Sequence, residues 1–271
     1  MEDTPAQLVS NAMIEKRYAL ITGASSGLGA EFAQQLAALG HPLILVARRE
    51  EKLAALASTL HEQYSVAVEV IAADLSQPDT PQKIATLCSA SGWQVEWLIN
   101  NAGVAGPDLL KDRDWSQQHA FYQLMMLSVA EMCHLFIPSM VEREQGRVIN
   151  IASVAARVPR SGGCNYGPAK AYVVALSEEL HLSVAGQGVN VTALCPGFTH
   201  TEFHETAGLM DMNNNMAKWL WYEAKVVVCD GINGVEDGKS VVVSGRLYRW
   251  LDPIFQSVWT RRFLRIKARP D

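Results

Sequence analysis

The sequence predicts a doubly wound α/β fold built on a seven-stranded parallel sheet, and two observations support this. Short β-branched or apolar runs alternate with longer amphipathic stretches along most of the chain. The short runs are apolar on both faces, which is typical of a parallel sheet with helices on both faces. The predicted strands are residues 18–22, 42–47, 68–73, 95–100, 147–152, 189–195 and 240–245.

Length and charge favour one large domain. The chain has 271 residues, 49% of them hydrophobic and 19% charged, which is enough to fill the core of a single α/β unit over residues 1–271. The formal net charge of -5 argues against a general nucleic-acid binder, because such proteins carry a net basic footprint. We therefore expect a small-molecule partner and no nucleic acid.

The cysteines indicate a reducing compartment. They are odd in number, scattered and never spaced as CxxC, which disfavours a disulfide framework and a zinc site. The first fifteen residues lack an apolar run of signal-peptide length, and we expect no later segment to be long and apolar enough to span a bilayer. We therefore expect a cytoplasmic protein without a bound metal. The cysteines are Cys88, Cys133, Cys164, Cys195 and Cys229.

A glycine-rich loop, TGASSGLG, directly follows the first predicted strand, and a helical stretch comes next. Glycines in such a loop are also typical of a simple tight turn. Between a strand and a helix, however, the loop puts the helix N-terminus where a pyrophosphate binds, as in a Rossmann-type fold. The context therefore predicts a dinucleotide site. Its loop residues are Gly23, Ser25, Ser26, Gly27, Leu28 and Gly29.

The end of the second strand indicates which dinucleotide is bound. An acid usually holds the ribose 2'-hydroxyl at this point and would repel a 2'-phosphate. Here Ala47 stands in place of the acid, and Arg48 and Arg49 follow. Guanidinium groups pair well with phosphate, so the sequence favours NADP(H) over NAD(H). Two solvated arginines at a helix start are the alternative, which the helix dipole disfavours.

A tyrosine and a lysine lie four residues apart in NYGPAKAY. Four residues are about one helical turn, so Tyr166 and Lys170 would project from one face of a helix. Pro168 is compatible with this helix if Asn165 is the N-cap, because a proline in the first turn loses no intrahelical bond. The spacing predicts two side chains that act on one small volume.

Six ordered motifs together resemble the short-chain dehydrogenase/reductase family, over roughly residues 17–245. Ser153 lies thirteen residues before Tyr166, as it does in that family. The residues within these motifs are most similar to those of a bacterial, NADP-dependent branch of the family. The motifs are TGASSGLG, AADLS, NNAG, the run NIASVAA with Ser153, YGPAK and PGFTHTEF.

The resemblance implies a catalytic group of three residues. Tyr166 would be the general acid in carbonyl reduction, and Lys170 would activate the tyrosine and bind the nicotinamide ribose. Ser153 would hold the substrate oxygen. A phenol with a pKa near 10 must be lowered by about three units to act near neutrality, and one ammonium at about 4 Å supplies an interaction of that size.

The resemblance also implies cofactor contacts at the carboxyl ends of strands. Asp74 would accept from the adenine amino group, residues 101–103 would line the adenosine ribose, and Thr199 would bind the nicotinamide carboxamide. Ordinary turns would account for Asp74 or NNAG alone. Ligands of open α/β sheets bind at this edge, however, which favours the functional interpretation. The positions are Asp74, Leu75, Asn101, Ala102, Gly103, Pro196, Gly197 and Thr199.

Met125 departs from the family pattern. It stands where the family usually has an asparagine that helps to hold a water chain from the lysine to solvent. A thioether accepts only weak hydrogen bonds and donates none, which puts the proton relay in doubt. Ser128, on the same helix face, is an alternative holder of the water, and ordinary helix packing is the simpler interpretation of Met125.

Residues 200–222 interrupt the alternation of strands and helices, where the family has its substrate lid. The Met and Trp side chains there suit an apolar, medium-sized or chain-like carbonyl substrate. Packing on the body or on a partner subunit accounts for them equally well. His200 and His204 lack the further ligands of a metal site, so we expect them on a surface helix face.

Residues 246–271 form an amphipathic, basic C-terminal extension. Asp252 is expected to cap a helix that has Pro253 at its first position. Such a helix can lie on a membrane surface, cover the substrate pocket or form a subunit interface. Docking onto protein is favoured over contact with a membrane.

Two functions from different classes remain open. One is an NADP(H)-dependent oxidoreductase that interconverts a carbonyl and an alcohol by hydride transfer. The other is a catalytically impaired NADP(H)-binding sensor or scaffold, for which Met125 is the only support. The intact Ser153, Tyr166 and Lys170 favour the enzyme, and we expect a homodimer or homotetramer.

Overall fold

The predicted parallel sheet is present in the computed structural model, which describes residues 17–158, 164–199 and 221–261. Every predicted strand is confirmed, with ends that shift by two residues or fewer. The strands are β1 (Arg17–Thr22), β2 (Leu43–Ala47), β3 (Val68–Ala72), β4 (Gln94–Asn100), β5 (Gly146–Ile151), β6 (Val189–Cys195), β7 (Phe198–Thr199), β8 (Trp221–Tyr222) and β9 (Val241–Val243). The main sheet has the order β3-β2-β1-β4-β5-β6-β9 and is parallel throughout.

Helices pack on both faces of this sheet. Alternate residues of β4 belong to different core clusters: Ile99 shares one with Phe32, and Leu98 shares the other with Phe136. This alternation follows from the period of two along a strand. The helices are α1 (Gly27–Ala38), α2 (Glu50–Tyr64), α3 (Thr80–Ala90), α4 (Trp115–Tyr122), α5 (Ser128–Glu142), α6 (Tyr166–Ser183), α7 (Ala224–Glu236), α8 (Arg246–Gln256) and α9 (Val258–Arg261).

The order of the strands reverses at β1, which pairs with β2 on one side and with β4 on the other. Chain connections leave this point in opposite directions and open a crevice beyond the carboxyl ends of the strands. The glycine loop after β1 and the NNAG loop after β4 both lie at this edge. The fold thus brings together loops that are far apart in sequence.

One helical run corrects an expectation from the sequence. Residues 115–142 form a helical run of 28 residues, and its most apolar 18-residue window has a mean hydropathy of 1.6, so the run is long and apolar enough to cross a membrane by length and composition. The expectation that no such segment exists was wrong. Met132, Phe136 and Met140 of this run are buried in the cluster on one face of the sheet. A core helix of an α/β domain has this composition as well, because it covers a fully apolar sheet.

The C-terminal helix starts earlier than the sequence predicts. Helix α8 begins at Arg246, so Asp252 and Pro253 lie inside it and the prediction of an Asp252 cap was wrong. A carboxylate from another helix holds its start: Asp230 accepts from Ser244 Oγ at 2.9 Å and from the Gly245 N–H at 3.4 Å. A distant acid thus takes the place of a local cap.

A small two-stranded sheet stands beside the main one. Strands β7 and β8 are parallel, with Phe198 opposite Trp221 and Thr199 opposite Tyr222. The Phe198 and Trp221 rings lie 5.4 Å apart, and Trp221 is buried. This lid tryptophan therefore packs on the body. The rest of the predicted lid, with His200 and His204, lies outside the described residues.

Candidate active site

The glycine loop after β1 is a tight turn that needs its glycines. Gly23 has a φ of +64°, and a Cβ added at Gly29 would lie 2.3 Å from the Gly23 carbonyl oxygen. Ser26, the N-cap of α1, makes no side-chain capping bond, and the first turn of α1 contains no acid. This helix start therefore fits an anionic pyrophosphate.

Thr22, which the sequence analysis missed, joins the glycine loop to the NNAG loop. Its hydroxyl oxygen accepts from the Asn101 N–H at 2.9 Å and from the Ala102 N–H at 3.0 Å. The Asn101 side chain donates back to the carbonyl oxygens of Thr22 at 2.9 Å and Gly23 at 3.2 Å. Asn101 thus holds two loops together through its amide. A buried threonine at the end of an apolar strand was the available signal.

Arg49 lies against the glycine loop. Its Nη2 donates to Ser25 Oγ and to Ser26 Oγ, both at 2.9 Å. Arg48 and Arg49 are both exposed at the carboxyl end of β2. The geometry brings the Arg49 guanidinium and two serine hydroxyls to one place, a combination that suits a phosphate group.

Asp74 lies just beyond β3, on the same edge. Its Oδ1 accepts from the Ser76 N–H at 2.9 Å, and its carbonyl oxygen accepts from Thr80 Oγ1 at 2.8 Å. One carboxylate oxygen is thus used in the turn, as expected for an Asx turn. Leu75 is buried in the core next to it.

A buried amide network holds the start of the predicted catalytic helix. Helix α6 begins at Tyr166 with Asn165 as its N-cap residue, but the Asn165 side chain makes no capping bond. It accepts from the Tyr122 hydroxyl at 2.7 Å and donates to the Pro107 carbonyl at 3.1 Å and to Gln118 Oε1. The amide is directed away from its own helix because buried partners there satisfy it. Asn165 and Gln118 were not predicted for this role.

Lys170 lies one turn after Tyr166, and its ammonium is buried. Lys170 Nζ donates to the Ile151 carbonyl oxygen at 2.6 Å and lies 5.8 Å from the centroid of the Tyr166 ring. Burial lowers the pKa of Lys170 to about 8. Tyr166 and Lys170 therefore lie on one face of α6, as predicted. The hydrogen-bond acceptor of the ammonium, however, is the Ile151 carbonyl oxygen.

Ser153 opens the short 3-10 turn Val154–Ala156 that follows β5. Its Oγ accepts from the Ala155 N–H at 3.1 Å. The turn packs against the start of α6, where a Cβ added at Gly167 would lie 3.1 Å from the Ala155 carbonyl oxygen. A glycine at position 167 thus allows the serine turn to approach the helix that carries Tyr166 and Lys170.

The segment after β6 closes the other side of this group. The Pro196 carbonyl oxygen accepts from the Val154 N–H at 3.0 Å, which ties this segment to the serine turn. Thr199 is buried, and its hydroxyl donates to the Gly197 carbonyl oxygen at 3.2 Å. Burial raises the pKa of the Cys195 thiol to about 12, so this cysteine is protonated at neutral pH.

Met125 is packed beside the catalytic helix. It is 1% exposed and shares a cluster with Phe121, Ala169 and Tyr166. Its Sδ accepts from the Val104 N–H at 3.3 Å. It lies in the π-helical stretch Gln123–Leu127, which joins α4 to α5. The thioether therefore supports the loop after NNAG as well as filling space.

We expect Met125→Asn to raise kcat by up to about tenfold or to shift its pH dependence, because asparagine can donate to a relay water as well as accept. Ser128→Ala is the paired variant. The Ser128 hydroxyl donates to the Leu124 carbonyl at 2.8 Å, which leaves its oxygen as an acceptor for the same water. If Ser128 already holds the relay water, Ser128→Ala should lower kcat instead. Profiles of kcat against pH for both variants distinguish these two cases. Profiles identical to the parent's in both variants would rule out a relay through this helix.

Three features lie at one edge of the sheet: a glycine turn at a helix start, a phosphate-suited arginine, and a tyrosine and lysine on one helix face. A doubly wound fold with these features at this edge is typical of dinucleotide-dependent oxidoreductases. Sequence and structure comparisons name the family within that class.

The chain belongs to the short-chain dehydrogenase family, whose profile matches residues 17–211. The sulfoacetaldehyde reductase of Chromohalobacter salexigens is 35% identical over 185 residues, which cover 68% of this chain and 72% of that protein. The very-long-chain 3-oxoacyl-CoA reductase of Rattus norvegicus is 30% identical over 190 residues, covering 68% of this chain and 60% of that protein. The protein is thus an oxidoreductase that acts on carbonyl and alcohol groups.

Solved structures agree with this assignment. A short-chain dehydrogenase from Sphingobium yanoikuyae in complex with NADPH has a TM-score of 0.77 and 31% identity, with 86% of this chain and 91% of that chain covered. A bulky-bulky ketone specific alcohol dehydrogenase from Comamonas testosteroni has a TM-score of 0.73 and 27% identity, with 91% and 94% covered.

Proposed function

We propose that the protein is an NADP(H)-dependent oxidoreductase that interconverts a carbonyl and an alcohol on an apolar, medium-sized or chain-like substrate. Tyr166 is the general acid in reduction and the general base in oxidation. Lys170 holds the nicotinamide ribose and favours the tyrosinate, and Ser153 orients the substrate oxygen.

NADPH, when bound, supplies the hydride for reduction. The residues of the chain handle the proton and the geometry. The Tyr166 hydroxyl donates its proton to the carbonyl oxygen as negative charge develops there, and the Ser153 hydroxyl donates a hydrogen bond to the same oxygen. The positive charge of Lys170 stabilises the tyrosinate that remains.

The placement of Lys170 is the observation that carries the proposal. Burying an ammonium costs free energy unless a charged partner and hydrogen bonds compensate it, and Lys170 makes a hydrogen bond to the Ile151 carbonyl oxygen two residues before Ser153. A buried lysine that carries this cost beside Tyr166 is typical of a catalytic site. A lowered pKa of about 8 keeps the group poised near working pH. No comparable observation on the described residues favours a sensor or scaffold.

The proposal of an apolar, medium-sized or chain-like substrate rests on the Met and Trp side chains in the sequence of residues 200–222. The two named reductases among the relatives act on unlike molecules, a small sulfonated aldehyde and a very-long-chain 3-oxoacyl-CoA. The carbonyl group is what these substrates share. We further propose that the protein works in the cytoplasm as a homodimer or homotetramer.

We expect Arg49→Ala to raise the Kd for NADPH by about 10- to 100-fold, the cost of losing a charged hydrogen bond to the 2'-phosphate, with much less effect on NADH. Arg48→Ala should also reduce the preference for NADPH over NADH. Fluorescence titration with both cofactors measures the two Kd values. Lys239→Ala, which removes an exposed lysine at the opposite edge of the sheet, is the control. Equal affinities of the parent for NADPH and NADH would contradict the assignment of the arginines.

A direct experiment tests the function. The purified protein is titrated with NADPH and then assayed with a panel of aldehydes, cyclic and open-chain ketones and alcohols of increasing chain length. We expect NADPH-dependent turnover that improves with apolar chain length. Binding of NADPH without turnover on any member of the panel would favour the sensor instead.

A further inference from the structure

Helix α8 contacts both segments that border the proposed active site. One is Arg157, which directly follows the turn Val154–Ala156 after Ser153, and the other is residues 196–199 after β6. We propose that α8 is a brace within the chain, in which Asp252 and Tyr248 are positioning residues for these two segments. The proposal rests on the proposed function, since it concerns the same site.

The first contact is a forked ion pair between Arg157 and Asp252. Arg157 Nη2 donates to Asp252 Oδ2 at 2.6 Å, and Arg157 Nε donates to Asp252 Oδ1. The two side chains are only 16% and 19% exposed, so solvent screens the pair little. Gln256 Nε2 adds a bond to the Arg157 carbonyl oxygen at 3.1 Å.

Arg157 is directly linked to the turn that Ser153 opens. The Arg157 N–H donates to the Val154 carbonyl oxygen at 3.0 Å, and the Ala156 N–H donates to the Ser153 carbonyl oxygen at 3.0 Å. Holding Arg157 at both its side chain and its backbone therefore limits how far this turn can move. Asp252 acts on Ser153 through Arg157.

The second contact is the Tyr248 ring on Gly197. A Cβ added at Gly197 would lie 2.1 Å from the Tyr248 ring, so only glycine lets the ring approach this backbone. Tyr248 is buried, and burial raises the pKa of its hydroxyl, an effect that a hydrogen bond from the Phe198 backbone partly offsets. The centroids of the Tyr248 and Tyr222 rings lie 6.1 Å apart. One helix thus contacts both β7 and the residue that pairs with Thr199.

The two segments are also bonded to each other, by the Val154 N–H and the Pro196 carbonyl. Cys195 lies at this junction and is completely buried. Loosening α8 would therefore misplace Ser153 and expose the Cys195 thiol. The accessibility of Cys195 reports on the brace without any need for turnover.

The test variant is Asp252→Asn, which keeps the shape of the side chain and removes its charge. We expect kcat to fall by about tenfold or more, because small misplacements of an orienting group cost that much, while the Kd for NADPH changes little. We expect the rate of Cys195 alkylation by N-ethylmaleimide to rise by about tenfold, with that of buried Cys133 unchanged. Peptide mass spectrometry measures both thiols in one sample.

Glu236→Gln is the matched control, because it breaks the Arg147–Glu236 ion pair (2.9 Å) at the opposite edge of the sheet. It should change neither kcat nor Cys195 alkylation. In Asp252→Glu, which keeps the carboxylate, kcat and the rate of Cys195 alkylation should both stay close to those of the parent. If Asp252→Asn fails to fold, Arg157→Lys keeps the charge and loses the fork, and it should lower kcat and expose Cys195 to a smaller extent.

The outcomes separate this proposal from the proposed function. Unchanged kcat and unchanged Cys195 alkylation in Asp252→Asn would overturn the brace. Faster alkylation with unchanged kcat would overturn the positioning role and leave a purely structural contact. Absence of turnover in the parent would overturn the proposed function alone, and the alkylation of Cys195 would still decide whether α8 braces the two segments.

Discussion

A Tyr166→Phe variant should lose about a thousandfold in kcat, the usual contribution of a general acid, while its Kd for NADPH stays close to that of the parent. The change removes only the phenolic oxygen. The ring remains packed with Phe121, Met125 and Ala169, so the start of α6 keeps its place. Lys170 keeps its 2.6 Å bond to the Ile151 carbonyl and its position for the ribose.

Steady-state rates and fluorescence titration measure the two effects separately. Tyr64→Phe is the matched control: it removes a phenol on α2 whose oxygen accepts from Gln63 Nε2, away from the site. Retention of most of the parent's turnover in Tyr166→Phe would show that another group donates the proton.

Replacing Lys170 with methionine should abolish turnover and yet stabilise the cofactor-free fold at neutral pH. Burial lowers the pKa of Lys170 from 10.5 to about 8, so below pH 8 the fold contains a buried charge that costs about 3 kcal/mol. Methionine avoids this cost and leaves the Ile151 carbonyl without its donor, at about 1 kcal/mol. We therefore expect a net gain of about 2 kcal/mol at pH 7.

The sign of the pH dependence follows from proton binding. Between pH 8 and 10.5 the unfolded chain holds the Lys170 proton more tightly than the folded one, so the parent's free energy of unfolding rises relative to the variant's. The advantage of Lys170→Met is complete below pH 8 and disappears as the pH approaches 10.5. Urea unfolding of both proteins at several pH values measures it.

Lys239→Met is the control for this series, because Lys239 is exposed and its surface ion pair should contribute at most about 1 kcal/mol to the free energy of unfolding. Parallel curves for the parent and Lys170→Met would contradict the buried ammonium. A gain in stability with a loss of turnover would also show that the fold carries Lys170 for its chemistry.

Local patterns were sufficient to predict the sheet and the catalytic helix. Runs such as 43–47 are apolar on both faces because both faces are covered, and that property is readable without a structure. Helix α6 starts at Tyr166, as Asn165 and Pro168 predict, because a proline inside a helix is tolerated only in the first turn and so restricts where the helix can begin. The glycine loop was also predictable, because the glycines are needed by close contacts within the loop itself.

Partners distant in sequence were not predictable in this way. Asp252 has the residue type of a helix cap, but its carboxylate pairs with Arg157, and Asp230 holds the helix start instead. The position of Thr22 at the end of an apolar strand signals a buried hydroxyl, but it does not reveal that the hydroxyl oxygen accepts from the distant NNAG loop. Strands β7 and β8 have two residues each, too few for a period of two to be recognised.

The pairing of β7 with β8 has a consequence for how this chain can diverge. Residues 200–220 leave the described structure at Thr199 and rejoin it at Trp221, and these two points lie in adjacent strands. When both ends of a segment are held together, doubling its length adds only about 0.6 kcal/mol to the entropy of closure. On this ground, insertions or deletions between these points should cost the sheet and the Tyr166 helix little stability. We therefore expect changes in this segment to alter the choice of substrate while Ser153, Tyr166 and Lys170 keep their places.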